Sequence, residues 1–228
     1  MTGETMPEEW LAFGTPAISD SNGRQGIMSS RIRPQTGSGL VGRAFCVRVV
    51  VGDSGSLHQA LEVVPSGAVL VVDAGGFADR AVWGEVLTVA AQRRGVVGAV
   101  IDGAIRDVAG IRRRGFPVYS AAISAAGPHK ACGGTWGAGV SCGGVSVNTG
   151  DLVVADEDGV VVVPWELREN VAASTRATVK REQKLIAQVL DGLSTAEFFG
   201  LGRGPVAKED AAVIQVNAAS AGQSGETR

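Results

Sequence analysis

The chain has 228 residues, 45% of them hydrophobic and 19% charged, which are the proportions of a globular protein with a substantial core and exclude a disordered chain or a coiled coil. Its 21 Lys and Arg stand against 23 Asp and Glu, a net charge of −2, so the broad basic surface of a general nucleic-acid binder is absent. Apolar runs such as residues 69–72 and 160–163 fall far short of the roughly 18 residues of a membrane helix, and no membrane partner is expected.

Residues 1–10 carry Glu4, Glu8 and Glu9 with neither a basic n-region nor an apolar h-region, so no signal peptide is expected. Three cysteines, Cys46, Cys132 and Cys142, form no C-x-x-C pair; this argues against a disulfide framework or a zinc knuckle and for a reducing compartment, the cytoplasm. Thr15-Pro16, followed by Ala17, Ile18 and Asp20, predicts an N-cap, a first-turn proline and a short helix. Residues 22–42, rich in Gly, Ser and Arg, read as loop. Residues 44–51 (AFCVRVVV) predict a strand ended by Gly52-Asp53-Ser54-Gly55, and residues 56–64 a helix with Leu57, Ala60, Leu61 and Val64 on one face.

Strand-and-helix units follow. Residues 68–72 form an apolar strand running into Asp73-Ala74-Gly75-Gly76, and residues 84–94 a helix with Val86, Leu87, Ala90 and Ala91 inward. Residues 96–101 form a second strand running into Asp102-Gly103, residues 107–114 a helix with Val108 and Ile111 inward and a stop at Gly115, and residues 117–121 a third strand. Strands apolar on both faces, alternating with helices, imply an α/β fold with a buried parallel sheet. Residues 144–147, 152–155 and 160–163 predict short strands of a meander or a second small sheet. Residues 165–190 predict one long polar helix whose apolar points, Leu167, Val171, Val179, Ile186 and Leu190, are too sparse for burial and suit an exposed or intersubunit helix. The small, polar residues 218–228 are expected to be a disordered tail.

Ligands of open α/β sheets bind beyond the carboxyl ends of the strands, and three acid-bearing segments are expected to converge there: Asp73 with Gly75-Gly76, Asp102-Gly103, and Arg106-Asp107. Asp107 opens a helix, so its plainest role is an N-cap. Beside it, however, the planar fork of Arg106 suits a carboxylate, and one hard carboxylate suits a magnesium ion that keeps its waters. The helix start at Gly84, Glu85, Val86 and Leu87 offers free amides and a positive dipole end. His58 and His129 have no second ligand at helical spacing, which argues against zinc. Neither glycine doublets nor serines match the dinucleotide, P-loop or nucleophile-elbow patterns.

The runs VLVVDAGG (69–76), WGEVLTVAAQRRGVVGAVIDGAIRDV (83–108), GFPVY (115–119) and CGGVSVNTGDLVVADEDGVVVVP (142–164) resemble the RraA-like proteins, over about residues 14–165. These include 4-hydroxy-4-methyl-2-oxoglutarate aldolases, which also decarboxylate oxaloacetate, and regulators of RNase E activity. The resemblance implies a swivelling β/β/α domain at 14–165, preceded by an extension at 1–13 and followed by a helical extension at 166–217, assembled as a homotrimer with sites between subunits. It makes Arg106 and Asp107 the catalytic pair, Asp107 the ligand of a divalent cation (Mg2+ or Mn2+), and Gly84, Glu85, Val86 and Leu87, with Arg106, the substrate-binding set. The family pattern continues R-D-x-x-[DE], and Gly110 stands at the second acid's place; Glu85 and Asp102 are the acids able to substitute in the metal's outer shell. An acidic residue drawn from the neighbouring subunit is not placed by this sequence.

The reading that results is a metal-dependent carbon–carbon lyase releasing pyruvate from short 2-oxo dicarboxylic acids, with no nucleic-acid or membrane partner. Its proton acceptor is expected to be metal-activated water, since no histidine sits near the motif. The rival is a non-catalytic regulator binding RNase E or the RNA-degradation machinery, whose members tend to lose the acid of the R-D pair. A third reading, a phosphohistidine carrier using His129, needs a nucleotide-binding partner domain.

Overall fold

The computed structural model describes residues 7–37, 39–131, 133–202 and 204, so Cys132 and residues 218–228 lie outside the described residues. The chain divides into two compact units, Met1–Lys180 and Arg181–Arg228. In the first, α1 (Pro7–Phe13) and α2 (Thr15–Ser21) lead to β1 (Arg33–Thr36), β2 (Leu40–Arg48) and α3 (Gly55–Ala60). Next come β3 (Ala68–Asp73), β4 (Ala81–Trp83), α4 (Glu85–Arg93), β5 (Gly98–Ile105), α5 (Val108–Arg113) and β6 (Val118–Ile123). Five short strands follow: β7 (Thr135–Trp136), β8 (Val140–Cys142), β9 (Val145–Val147), β10 (Leu152–Ala155) and β11 (Val160–Val163). A 3-10 turn (Trp165–Leu167) opens α6 (Arg168–Leu190), which buries Val171, Ala172, Thr175 and Thr178. In the second unit, α7 (Thr195–Phe198) follows the end of α6, and Ile186, Leu190 and Phe199 are exposed.

The main sheet runs β1-β6-β5-β3-β2-β10-β11. Its middle, β6-β5-β3-β2, is parallel, and β1, β10 and β11 pair antiparallel at the two sides. Period-two alternation divides the strand residues between two faces. Phe45, Val47, Leu70, Val72 and Ile101 pack against Leu57 and Leu61 from α3, Leu87 and Ala91 from α4 and Ile111 from α5. Cys46, Val69, Val71 and Val100 pack on the other side against Val140, Cys142 and Val147 of the β8–β9 hairpin and against Met28 and Ile32. Trp10, Ile18, Val171 and Ala172 cover β10 and β11. The result is a helical layer, a largely parallel sheet and a β-hairpin layer, the α/β class expected.

The strands depart from the expectations in four places. Residues 22–42 are not all loop: β1 occupies Arg33–Thr36 and β2 starts at Leu40. A polar edge strand carrying Pro34 has no apolar signature, and an edge is where proline is tolerated. Strand β5 does not stop at Ile101 but continues to Ile105, with Asp102 in register with Asp73. The short strands expected at 144–147, 152–155 and 160–163 are present but divided: β9 pairs with β8 in a separate two-stranded sheet, while β10 and β11 extend the main sheet as an antiparallel pair. Strand β4 is too short to register as a pattern.

Cys46 on β2 and Cys142 on β8 are buried between the sheet and the hairpin. Burial above all pushes the Cys46 thiol up to about 11, and burial followed by the nearby Asp102 charge pushes Cys142 up as well. The thiolate is the reactive form. In a Cys132→Ala variant, both thiols are therefore expected to resist iodoacetamide at pH 8 until denaturant is added; labelling of either in the native protein would contradict this packing.

Candidate active site

Strands β3, β4 and β5 run parallel and end on one edge of the sheet. There a cavity of about 90 Å3 is lined by Gly84, Val86 and Leu87, by Arg106 and Asp107, and, across from them, by Ser54, His58, Pro128 and Lys130. It is well below the roughly 300 Å3 at which pockets for drug-sized ligands begin, so it suits a short acid. A hollow of about 530 Å3 near the opposite strand ends, between Trp10, Val41, Leu152 and Trp165, is larger, but its charged groups are only Arg43 and Arg168.

The Gly84 corner is fixed from beneath. Trp83 is buried and stacks on Phe116 with centroids 6.3 Å apart. Its indole N–H donates to Thr88 Oγ1 at 2.9 Å, and the Thr88 hydroxyl donates to the Gly84 carbonyl at 3.1 Å. The Arg106 amide donates to the Trp83 carbonyl at 2.9 Å, tying the end of β5 to the same corner.

Asp107 departs from the plain N-cap expectation. Its backbone is left-handed, φ 58° and ψ 31°, and its side chain makes no capping bond to its own helix, α5. Instead, Oδ2 accepts from the Glu85 amide at 3.1 Å and lies 3.6 Å from Arg106 Nε, with both side chains half-exposed to the cavity. The carboxylate thus sits at the N-terminus of α4, where the dipole favours it. Gly84 makes this approach possible: a Cβ there would lie 2.6 Å from Asp107 Oδ2 and 3.2 Å from Arg106 Cγ.

Of the expected residues, the structure therefore brings Gly84, Val86, Leu87, Arg106 and Asp107 to one cavity and sends two acids elsewhere. Glu85 contributes its amide to Asp107, while its carboxylate accepts from Arg114 Nε at 2.8 Å and lies over Gly110, where a Cβ would overlap it. An aspartate at position 110 has no room while Glu85 stands there. Asp102 faces the hairpin layer, accepting from the Gly143 amide at 2.9 Å and from Arg31 at 3.5 Å. Asp73 is held by Arg48 at 3.0 Å, and the Gly76 amide donates to the Asp102 carbonyl at 2.9 Å, so two of the three acid-bearing segments meet each other while neither carboxylate lines the Arg106–Asp107 cavity. Val86, expected inward, is 74% exposed on the cavity rim.

The opposite wall was missed, and the expectation that no histidine stands near Arg106 and Asp107 is corrected. His58 flanks the buried face of α3 and reaches the cavity. Asp53 holds this wall together, its carboxylate accepting from the Gly55 amide at 2.7 Å and from the Ala131 amide at 2.5 Å. Backbone bonds from Ser54 to His129 and from His129 to Gly52, each 2.9 Å, fasten the loop carrying Lys130 to the start of α3. Burial, and then the Lys130 charge, lower the His58 pKa from its ordinary value of 6.5, so the imidazole is neutral at pH 7.

Among the described residues no group of three or more His, Cys, Asp or Glu side chains could hold a metal. A single oxygen donor, Asp107, in a small polar cavity fits a hard cation that retains waters and takes its other ligands from substrate. It does not fit zinc or another soft ion.

A family model described as RraA-like, Aldolase/RraA, matches residues 15–162. A Halalkalibacterium halodurans protein named "Putative 4-hydroxy-4-methyl-2-oxoglutarate aldolase" is 36% identical over 72% of this chain and 78% of its own length. Among solved structures, an uncharacterized protein from Pseudomonas syringae aligns with TM-score 0.73 and 27% identity over 85% of this chain and 96% of its own. The RNA-processing inhibitor RraA from Thermus thermophilis aligns with TM-score 0.61 and 28% identity over 66% of this chain and 92% of its own.

Proposed function

Because the chain belongs to the RraA-like family, we propose that it is a divalent-metal-dependent lyase that cleaves short 2-oxo dicarboxylic acids to pyruvate, acting as a 4-hydroxy-4-methyl-2-oxoglutarate aldolase and an oxaloacetate decarboxylase. The observation that carries this reading is Asp107, turned by a left-handed backbone away from its own helix and into a cavity beside Arg106. An acid turned away from its own helix by this uncommon backbone and left exposed beside a guanidinium does little as scaffolding and is apt as a site.

Arg106 presents a planar fork to the C1 carboxylate of the substrate. The amides of Val86 and Leu87, in the first turn of α4, lack intrahelical acceptors, and the dipole end they share favours the charge that gathers on the 2-keto oxygen as the bond beyond C3 breaks. Glu85's amide is committed to Asp107 and orients that carboxylate. Asp107 would hold the magnesium or manganese ion, which supplies Lewis-acid polarisation of the keto group. Both the aldol and the decarboxylation reactions leave the same three-carbon enolate, so one arrangement serves both.

We also propose a homotrimer, supported by the exposed Val86 on the rim and by exposed Val50 and Val51 just beyond β2. The test is steady-state pyruvate release from oxaloacetate and from 4-hydroxy-4-methyl-2-oxoglutarate, with and without chelator, on protein whose mass is measured by light scattering. Turnover of both that is lost in chelator and restored by magnesium, at a mass of three chains, is expected. Full turnover in excess chelator would remove the cation from the reading. An inert protein would leave the non-catalytic regulator, which the likeness to the Thermus thermophilis inhibitor favours.

A further inference from the structure

The cavity has two chemically different walls, and the cleavage just proposed uses only one. Arg106 and the α4 amides serve the 2-oxo acid end. Across from them stand His58 on α3 and Lys130 on the loop after β6, fixed to one another through Asp53. A retro-aldol step requires something there, because the hydroxyl on C4 must lose its proton as the C3–C4 bond breaks. Oxaloacetate decarboxylation requires no such group, since the leaving carboxylate carries no proton.

We infer that His58 is the catalytic base for aldol cleavage, taking the C4 hydroxyl proton of a 4-hydroxy-2-oxo acid held by Arg106. The inference rests on the proposed lyase reading. Of this chain's ionisable side chains lining the cavity, Arg106 is engaged with the substrate's C1 carboxylate, and Asp107 takes the Glu85 amide and would hold the cation. The Ser54 hydroxyl is itself too weak a base. Among this chain's own side chains at the cavity the imidazole is the one placed to take the proton in place of a cation-bound water, and its burial beside Lys130 favours the unprotonated form.

In the step, the hydroxyl proton passes to the free ring nitrogen of His58 and the O–H electron pair becomes the new C4 carbonyl. The C3–C4 pair moves to C3 as the C2–C3 double bond, and the 2-keto oxygen takes the negative charge. The first carbonyl product leaves, and the imidazolium returns the proton to C3 to give pyruvate. No outside acid, base or oxidant is consumed. Lys130, adjacent to this exchange, is placed to balance the charge of the substrate's second acidic group.

The experiment measures both activities in His58→Gln and His58→Ala against the unsubstituted protein, with oxalate binding by calorimetry as a check that the Arg106 wall is intact. The ratio of aldol cleavage to oxaloacetate decarboxylation is expected to fall about 10²-fold or more in both variants, the usual scale of a lost general base. Added imidazole is expected to restore part of the aldol rate in His58→Ala. Oxalate affinity should survive. An unchanged ratio, with or without an overall loss of rate, would overturn the assignment and leave His58 a shaping residue. If the unsubstituted protein cleaves neither substrate, the lyase reading itself fails, an outcome distinct from a normal enzyme with an unaltered ratio.

Discussion

Asp107→Asn is expected to lower pyruvate release from either substrate by about 10³-fold or more, while the fold and the melting temperature stay within a few degrees of the original. Asparagine tolerates the left-handed backbone found at this position, and its amide oxygen still accepts from the Glu85 amide, so the exchange removes charge and little else. What disappears is the anionic oxygen that holds the cation. Binding of manganese, read directly by electron paramagnetic resonance, should weaken in parallel. Arg106→Ala tests the other half of the pair: one charge-assisted interaction contributes about 1.5–3 kcal/mol, so a loss of roughly 10- to 150-fold in kcat/KM is expected, with manganese binding largely retained. Asp107→Asn with full activity, circular dichroism being native, would show that the pair is structural.

A second large effect is expected where no chemistry is done. Gly84 has φ −164°, an extended backbone open to any residue, so alanine there meets no torsional penalty. Its methyl, however, would lie 2.6 Å from Asp107 Oδ2 and 3.2 Å from Arg106 Cγ. Asp107 must then leave the Glu85 amide, and Arg106 must shift with it. Displacements of this size at reacting groups cost about 10²-fold in rate, and overpacking a tight site costs about 1–3 kcal/mol in stability. Gly115→Ala is the contrasting control. At φ 64°, with nothing within 4 Å of a Cβ, it should lose about 1–2 kcal/mol of stability from backbone strain and no activity. If Gly84→Ala behaved like Gly115→Ala, the close approach of Asp107 to α4 would not matter to catalysis.

What is legible in this sequence is local. The apolar runs at β3 and β5 and the helix starts at Gly84 and Asp107 were legible because each is written in contiguous residues. The end of β5 was not: Asp102-Gly103 has turn composition, yet the strand continues because the Asp102 carboxylate is satisfied by the Gly143 amide and Arg31, partners far away in the chain. His58 was hidden for a related reason. The pattern Leu57, Ala60, Leu61 shows which face of α3 is buried, but not that its flank meets the ends of β4 and β5. Lys130 lies in a loop whose place depends on Asp53, again a contact between distant segments. The missing acid at Gly110 was visible as a departure, and its explanation, the Glu85 carboxylate lying over that position, requires two helices to be seen together.

The left-handed turn at Asp107 also restricts how this lineage is free to drift. Glycine, asparagine and aspartate enter such a backbone most readily, so the favoured alphabet at position 107 is short, and of those three letters one carries a charge. A single exchange from aspartate to asparagine or glycine keeps the turn, the helix and the sheet end beneath it. Folded descendants without the acid are therefore one step away from descendants that have it, and a scaffold of this kind can pass from turnover to pure binding without crossing an unfolded intermediate sequence.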